Sequence, residues 1–333
     1  MILLSYGTRP EYIKFKPIID ILNKDQYKIL FTGQHKDIAD FGFDYSIEIL
    51  DGYNRLDSII QSSMNKLTYI LNNEPKITHI MVMGDTTSAF AMALSAFNHK
   101  LKVIHLEAGL RTYDNENPYP EEQNRRFISQ ITDIHLCPTE LSYNNLLNER
   151  IDTDKYVVGN TILDNLLEYK DKCEYINKIL VTMHRRENHH WLDQWFKELD
   201  KLAEDNPQYE FILPLHPNPN VQKHKDLLKH INVVEPMSHN ELLNLLVKTK
   251  IVITDSGGIQ EECSFFNKKC LTCRKVTERP EAKGQSTFII KTPQDLVPAF
   301  IEHIDNYEIN YECPFDDGQS AKKIMEVLKQ DIK

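Results

Sequence analysis

The stretch HIMVMGDTTSAFAMALSAFNHKLKVIHLEAG, His79 to Gly109, decides the fold. An apolar run ends on Gly84-Asp85, a helical pattern follows over SAFAMALSAFNHK, and a second apolar run, KVIHL, ends on Glu107. Strand, helix and strand in so short a span predict parallel strands joined by a covering helix. The same rhythm extends outward. MILLSYG reads as a strand and PEYIKFKPIIDILNK as its helix; YKILFTG and DIHLCPT are further strands, and RLDSIIQSSMNKLTYILNN a further helix. It restarts after VVGNTILDNLLEY with the strands KILVTMHRREN, YEFILPLHP, INVVEP and KIVITDSGG. The expected architecture is therefore α/β, with two Rossmann-like domains over residues 1–168 and 169–315. The charged YKDKCEYINK is the linker, and the cleft between the domains is the expected ligand site. The last segment, 316–333, carries an amphipathic helix that needs a surface to cover it.

Bulk properties agree. A chain of 333 residues is too long for one core. With 41% hydrophobic and 26% charged residues it reads as an ordinary soluble protein. No run approaches the ~18 apolar residues of a membrane span. The start, MILLSYGTRPEY, has no basic region or cleavage site, so the expected location is the cytoplasm. A net charge of -10 speaks against a nucleic-acid partner, although a local cluster of Arg and Lys can still hold a phosphorylated small ligand. The six cysteines are scattered, as reduced thiols are. CLTC (Cys270 to Cys273) has half the spacing of a zinc or redox site, but no second pair follows. On a strand, positions three apart face opposite sides, so two small buried hydrophobes is the better reading.

In a parallel sheet, ligands sit at the carboxyl ends of the strands. The residues there are Gly7-Thr8-Arg9-Pro10-Glu11, Gly84-Asp85-Thr86-Thr87, Glu107-Ala108-Gly109, His184-Arg185-Arg186-Glu187-Asn188, His216-Pro217 and Asp255-Ser256-Gly257-Gly258. Singly, Asp85 or Asp255 reads equally well as a helix cap. Together these residues place acids, histidines and a Ser-Gly-Gly turn on matching edges. Two glycines at a helix start let backbone N–H groups approach an anion, which the helix dipole favours, and a diphosphate is a natural guest. Glu262, one turn into that helix, is placed to accept bonds from ribose hydroxyls. The loop after Glu107, HLEAGLRTYDNENPYPEEQNRR, is dense in acids and arginines, which is odd for a segment leaving a buried strand.

GTRPE, TGQH, GDTTS, EAGLRT, PEEQNRR, GNTILD, HRREN, HPNPNV, DSGGIQEE and TERPEA occur in this order. In these motifs the chain resembles the non-hydrolysing UDP-N-acetylglucosamine 2-epimerases, from Gly7 to roughly Leu328. The resemblance implies a glycosyltransferase-B fold whose C-terminal helix packs back on the N-terminal domain. It implies a homodimer acting on a UDP-sugar, with no redox cofactor and no catalytic metal. The implied reaction interconverts UDP-GlcNAc and UDP-ManNAc through elimination of UDP and re-addition to a 2-acetamidoglycal. Asp85, Glu107, Glu121 and His184 are the implied catalytic set. Arg9, Lys14 and Arg125, with Ser256, Gly257 and Gly258, surround diphosphate and sugar; His216 and Arg279 are further contacts, and Glu262 meets the ribose. Arg126, Arg186 and Glu261 are assigned to structural pairing, and His189 and His190 to a solvated loop. There are departures from the family. Leu242 stands where members commonly place an aromatic residue near the uracil. The segment after TGQH is shortened, and Ser62 stands at the arginine of a second, activating nucleotide site, so that site is expected to be weak. The competing readings are a 2-epimerase of a UDP-2-acetamido-2,6-dideoxy-L-hexose, a hydrolysing epimerase releasing ManNAc and UDP, a glycosyltransferase of the same fold, and a non-catalytic UDP-sugar sensor.

Overall fold

The computed structural model describes residues 1–34, 42–49, 52, 54–306 and 312–331. The chain forms two compact units, Met1–Asn165 with Asp316–Lys333, and Leu166–Phe315. Among the described residues the first holds seven strands, β1 (Ile2–Tyr6), β2 (Tyr27–Phe31), β3 (Tyr45–Ser46), β4 (His79–Met83), β5 (Lys102–Leu106), β6 (Ile134–Cys137) and β7 (Asp154–Val157). The second holds β8 (Lys178–Thr182), β9 (Glu210–Pro214), β10 (Asn232–Val234), β11 (Ile251–Thr254), β12 (Lys269–Cys273) and β13 (Thr287–Ile290). All pairings are parallel, in the orders β3-β2-β1-β4-β5-β6-β7 and β10-β9-β8-β11-β12-β13. Each order reverses once, at β1/β4 and at β8/β11, the position where parallel sheets of this kind bind ligands.

The decisive stretch folds as β4, the helix Thr87–Asn98 and β5. Thr86 caps the helix by accepting from Ala89 N at 3.1 Å. Ala89, Ala93 and Ala96 are buried in the core under the sheet and let the helix lie close on it. Gly84 (φ 65°) and Gly109 (φ 84°) turn the chain out after β4 and β5. A Cβ on Gly109 would meet the Ser142 carbonyl at 2.1 Å, so only glycine fits.

The C-terminal helix Ser320–Asp331 belongs to the first unit. Its Ile324, Val327 and Leu328 join the core formed by Ile2, Leu4, Phe15 and Ile18. Asp164 accepts from the backbone of Ser320 at 3.2 Å and Ala321 at 2.9 Å, which satisfies the open first turn. Gly159 (φ 82°) lies where a Cβ would come within 2.2 Å of Asp316 Oδ2. GNTILD is therefore in part a docking motif for this helix. On β12, Cys270 and Cys273 are both buried, and Cys273 joins the core of one sheet face. Among the described residues no helix is long and apolar enough to cross a membrane.

Candidate functional site

In the first unit, the acids at the ends of β4 and β5 are each held by a cation. Glu107 leaves β5 with φ 64°, a left-handed conformation unusual for a residue with a side chain. Its Oε1 accepts from Lys14 Nζ at 2.6 Å and faces Asn160 Nδ2 at 3.4 Å. Asp85 Oδ2 accepts from Arg125 Nη2 at 2.6 Å, and Arg125 Nη1 donates to Glu122 Oε2 at 2.8 Å. Glu122 is fully buried and also takes the backbone N–H groups of Thr112 (2.9 Å) and Tyr113 (3.1 Å). It pins the loop that follows Glu107 to the helix Glu121–Gln130. Glu121 opens that helix and is half-buried. Arg9 is exposed at the first residue of the helix Arg9–Ile19. Arg126 lies 3.5 Å from Glu149, which Arg111 also grips through two bonds of 2.8 and 2.7 Å.

Glu11 stands in the strand-end group read from the sequence but was given no role there. It accepts from the backbone N–H groups of Gly7 and Thr8, both at 2.7 Å, and from the hydroxyls of Thr8 (3.0 Å) and Thr86 (2.8 Å). It thus ties the loop after β1 to the loop after β4. Burial pushes its carboxyl up to about 7 against the pull of those donors. The signal available in the sequence was its place three residues after Thr8, where a capping box puts Glu.

Of the shortened segment after Gln34, His35, residues 36–41 and residue 50 lie outside the described residues, and the rest includes β3. Ser62 is buried in the helix Arg55–Asn73, while Arg55 at its start donates to the Gln34 carbonyl at 2.6 Å.

In the second unit, Asp255 is no cap for the following helix. It is fully buried and accepts from the backbone of His184 (3.0 Å) and Arg185 (2.8 Å) and from Asn188 Nδ2 (3.1 Å). It therefore fixes the turn after β8. The His184 ring stacks on His216 with centroids 5.0 Å apart and planes 7° from parallel. Burial lowers both imidazole pKa values; Asp255 partly offsets this for His184, and His184 itself lowers His216 further. Asn218 N donates to His216 Nδ1 at 3.1 Å, so neutral His216 carries its proton on Nε2. His189 Nε2 lies 3.3 Å from the His184 carbonyl, so this side chain braces the turn and is not a solvated one. His190 and Arg186 are exposed.

Ser256 precedes the helix Gly257–Phe265, whose first N–H groups are open to an anion. The two glycines differ. A Cβ on Gly257 would stand 2.6 Å from Arg279 Nη1 and 2.7 Å from Glu278 Oε1, whereas one on Gly258 would meet nothing nearer than Ser256 Oγ at 4.0 Å. Gly257 is required by packing; Gly258 opens onto free space. Further along the helix, Glu262 is buried, with Oε1 3.0 Å from His239 Nε2 and Oε2 without a hydrogen-bonding partner among the described residues. Such an oxygen is costly and suits a ligand hydroxyl. His239 was missed in the sequence, since its partner lies 23 residues away. Leu242 is half-buried on the helix His239–Leu246. Arg279 is buried, with its guanidinium bonded to Glu261 and Glu278.

The family model described as UDP-N-acetylglucosamine 2-epimerase matches residues 21–329. The chain is 37% identical over 370 residues to the UDP-N-acetylglucosamine 2-epimerase of Neisseria meningitidis serogroup A, covering 98% of each. It is similar to the crystal structure of the Neisseria meningitidis UDP-GlcNAc 2-epimerase bound to UDP-GlcNAc, at 35% identity and TM-score 0.90 over 99% of both chains. The UDP-GlcNAc 2-epimerase of Methanocaldococcus jannaschii in complex with UDP-GlcNAc and UDP matches at 30% identity and TM-score 0.86, again over 99% of both.

Proposed function

The chain belongs to the UDP-N-acetylglucosamine 2-epimerase family, and we propose that it interconverts UDP-GlcNAc and UDP-ManNAc by eliminating UDP and adding it back. It is a nucleotide-sugar 2-epimerase, an isomerase with paired parallel α/β sheets of the glycosyltransferase-B type. The C2–H bond adjoins no carbonyl, so direct proton removal is hard. In the proposed route the C1–O bond breaks and its electron pair leaves with UDP. A base takes the C2 proton, which leaves a C1=C2 double bond. UDP oxygen then returns to C1 while an acid protonates C2 from the opposite face. UDP must stay bound throughout, and water must stay out.

The work divides between the units. The second holds UDP, with diphosphate on the Ser256-Gly257-Gly258 turn and ribose at Glu262, while His184 and His216 line the same strand ends. In the first unit, Asp85, Glu107 and Glu121 are the proposed acid and base groups, with Lys14, Arg125 and Arg9 as cations. The observation that carries this reading is the helix start at Gly258, open to space, with the unpartnered Glu262 Oε2 one turn on. Incubation with UDP-GlcNAc, followed by NMR of the anomeric protons, tests it. An equilibrium mixture of UDP-GlcNAc and UDP-ManNAc is expected. Free ManNAc with UDP, or turnover of only a 6-deoxy-L-hexosamine nucleotide, would contradict it.

The protein is further proposed to be a homodimer. Tyr69, Phe97 and Phe127 are each 50–57% exposed on the neighbouring helices Arg55–Asn73, Thr87–Asn98 and Glu121–Gln130, and a second copy would cover them. Light scattering on the eluting protein should give twice the chain mass, and a monomer at micromolar concentration would refute it.

A further inference from the structure

Behind the Gly257-Gly258 turn, the second unit buries a run of alternating charges that takes no part in the chemistry above. Glu187, in the turn after β8, accepts from Arg274 Nε at 2.7 Å, and Arg274 Nη1 donates to Glu278 Oε2 at 2.8 Å. Glu278 Oε1 also takes Arg279 Nη1, and Arg279 Nε bonds Glu261. The Arg274 and Glu261 side chains are fully enclosed, and those of Glu278 and Arg279 nearly so. The members come from the loops after β8 and β12 and from the helix after β11. Apolar residues of equal volume commonly stabilise a fold as well as buried ion pairs do. What a guanidinium adds is a rigid planar fork that holds two carboxylates at a set spacing. One end of this run lies three residues past His184. The other presses on Gly257, where the Arg279 and Glu278 side chains leave no room for a Cβ.

We propose that Arg274 is a positioning residue for the epimerisation: by gripping Glu187 and Glu278 at once, it sets the His184 turn in register with the Gly257-Gly258 turn. This rests on the reading that those turns hold the diphosphate and supply His184. A lysine at 274 has its three donors on a single nitrogen and cannot hold two carboxylates at the spacing that separate guanidinium nitrogens set.

The test compares kcat, KM, UDP affinity by calorimetry and melting temperature in the full chain. Arg274→Lys should lower kcat about 10- to 100-fold and weaken UDP binding as well, since both turns lose their tie. Glu187→Ala should lower kcat to a similar extent while UDP affinity stays within about threefold, because the Glu278–Arg279 end is intact. Glu187→Gln keeps an oxygen for Arg274 Nε and should restore kcat to within about threefold of wild type. A folded Glu187→Ala protein with wild-type kcat overturns the proposal. So does a parallel fall of kcat, UDP affinity and melting temperature in all three variants, which marks a stability element only. Should Arg274→Lys fail to fold, the Glu187 pair, on a partly exposed turn, carries the test. Unchanged UDP affinity in Gly258→Ala would instead retire the underlying reading of the diphosphate turn and leave the positions of the charges untouched.

Discussion

Asp85→Asn should lose about 10²–10⁴ in turnover yet keep its stability, whereas Glu122→Gln should do the reverse. Both carboxylates bind Arg125, Asp85 through Nη2 and Glu122 through Nη1. Asp85 is 28% exposed, and without its charge Arg125 still has Glu122, so the stability cost should stay below about 1 kcal/mol. Glu122 is fully buried and holds two backbone N–H groups as well as Arg125. An amide there turns its NH2 toward donors and leaves an enclosed guanidinium short of charge, a loss of about 3–5 kcal/mol. Glu107→Gln should cost activity like Asp85→Asn and some stability too, because Lys14 loses its carboxylate in a nearly closed site. Denaturant unfolding and turnover on the same preparations separate the two effects. A stable Glu122→Gln protein, or an active Asp85→Asn protein, would show that the roles are misassigned.

The neighbouring glycines should part in the same way. Gly258→Ala lies in the first turn of a helix with open space around it, so it should raise stability by about 0.5–1 kcal/mol through helix propensity. It should also weaken UDP binding about tenfold or more, because the methyl takes the space a phosphate needs to reach the backbone N–H groups. Gly257→Ala meets a buried guanidinium and carboxylate at 2.6 and 2.7 Å and should cost about 1–3 kcal/mol. Calorimetric titration with UDP beside chemical unfolding reads both. Undiminished affinity in Gly258→Ala would remove the diphosphate from this turn.

The fold was legible because apolar runs in parallel sheets are short, uninterrupted and separated by helical patterns, as His79 to Gly109 shows. The strand-end position of Asp85, Glu107, His184 and Ser256 followed directly from where those runs stop. What each side chain touches was not legible, since the contacts join distant loops. Thr86 reaches Glu11 across 75 positions, and Asn160 reaches Glu107 across 53. Glu121 and Glu122 are equivalent in sequence; only the helix phase makes one half-buried and the other fully enclosed. Asp255 had the look of a cap, but the turn after β8 brings three N–H donors to it, and Ser256 stands at the helix start instead. Arg279 read as a ligand contact, and Glu261 and Glu278 occupy its guanidinium in this structure.

Elimination and re-addition make one demand that no retention mechanism shares: the C2 proton must leave and be replaced. Turnover of UDP-GlcNAc in D2O, with no nicotinamide added, measures this directly by NMR at C2. The expected result is UDP-ManNAc carrying deuterium at C2, with deuterium entering the recovered UDP-GlcNAc as equilibrium is approached. Product that keeps its original C2 proton through many turnovers would contradict the proposed chemistry.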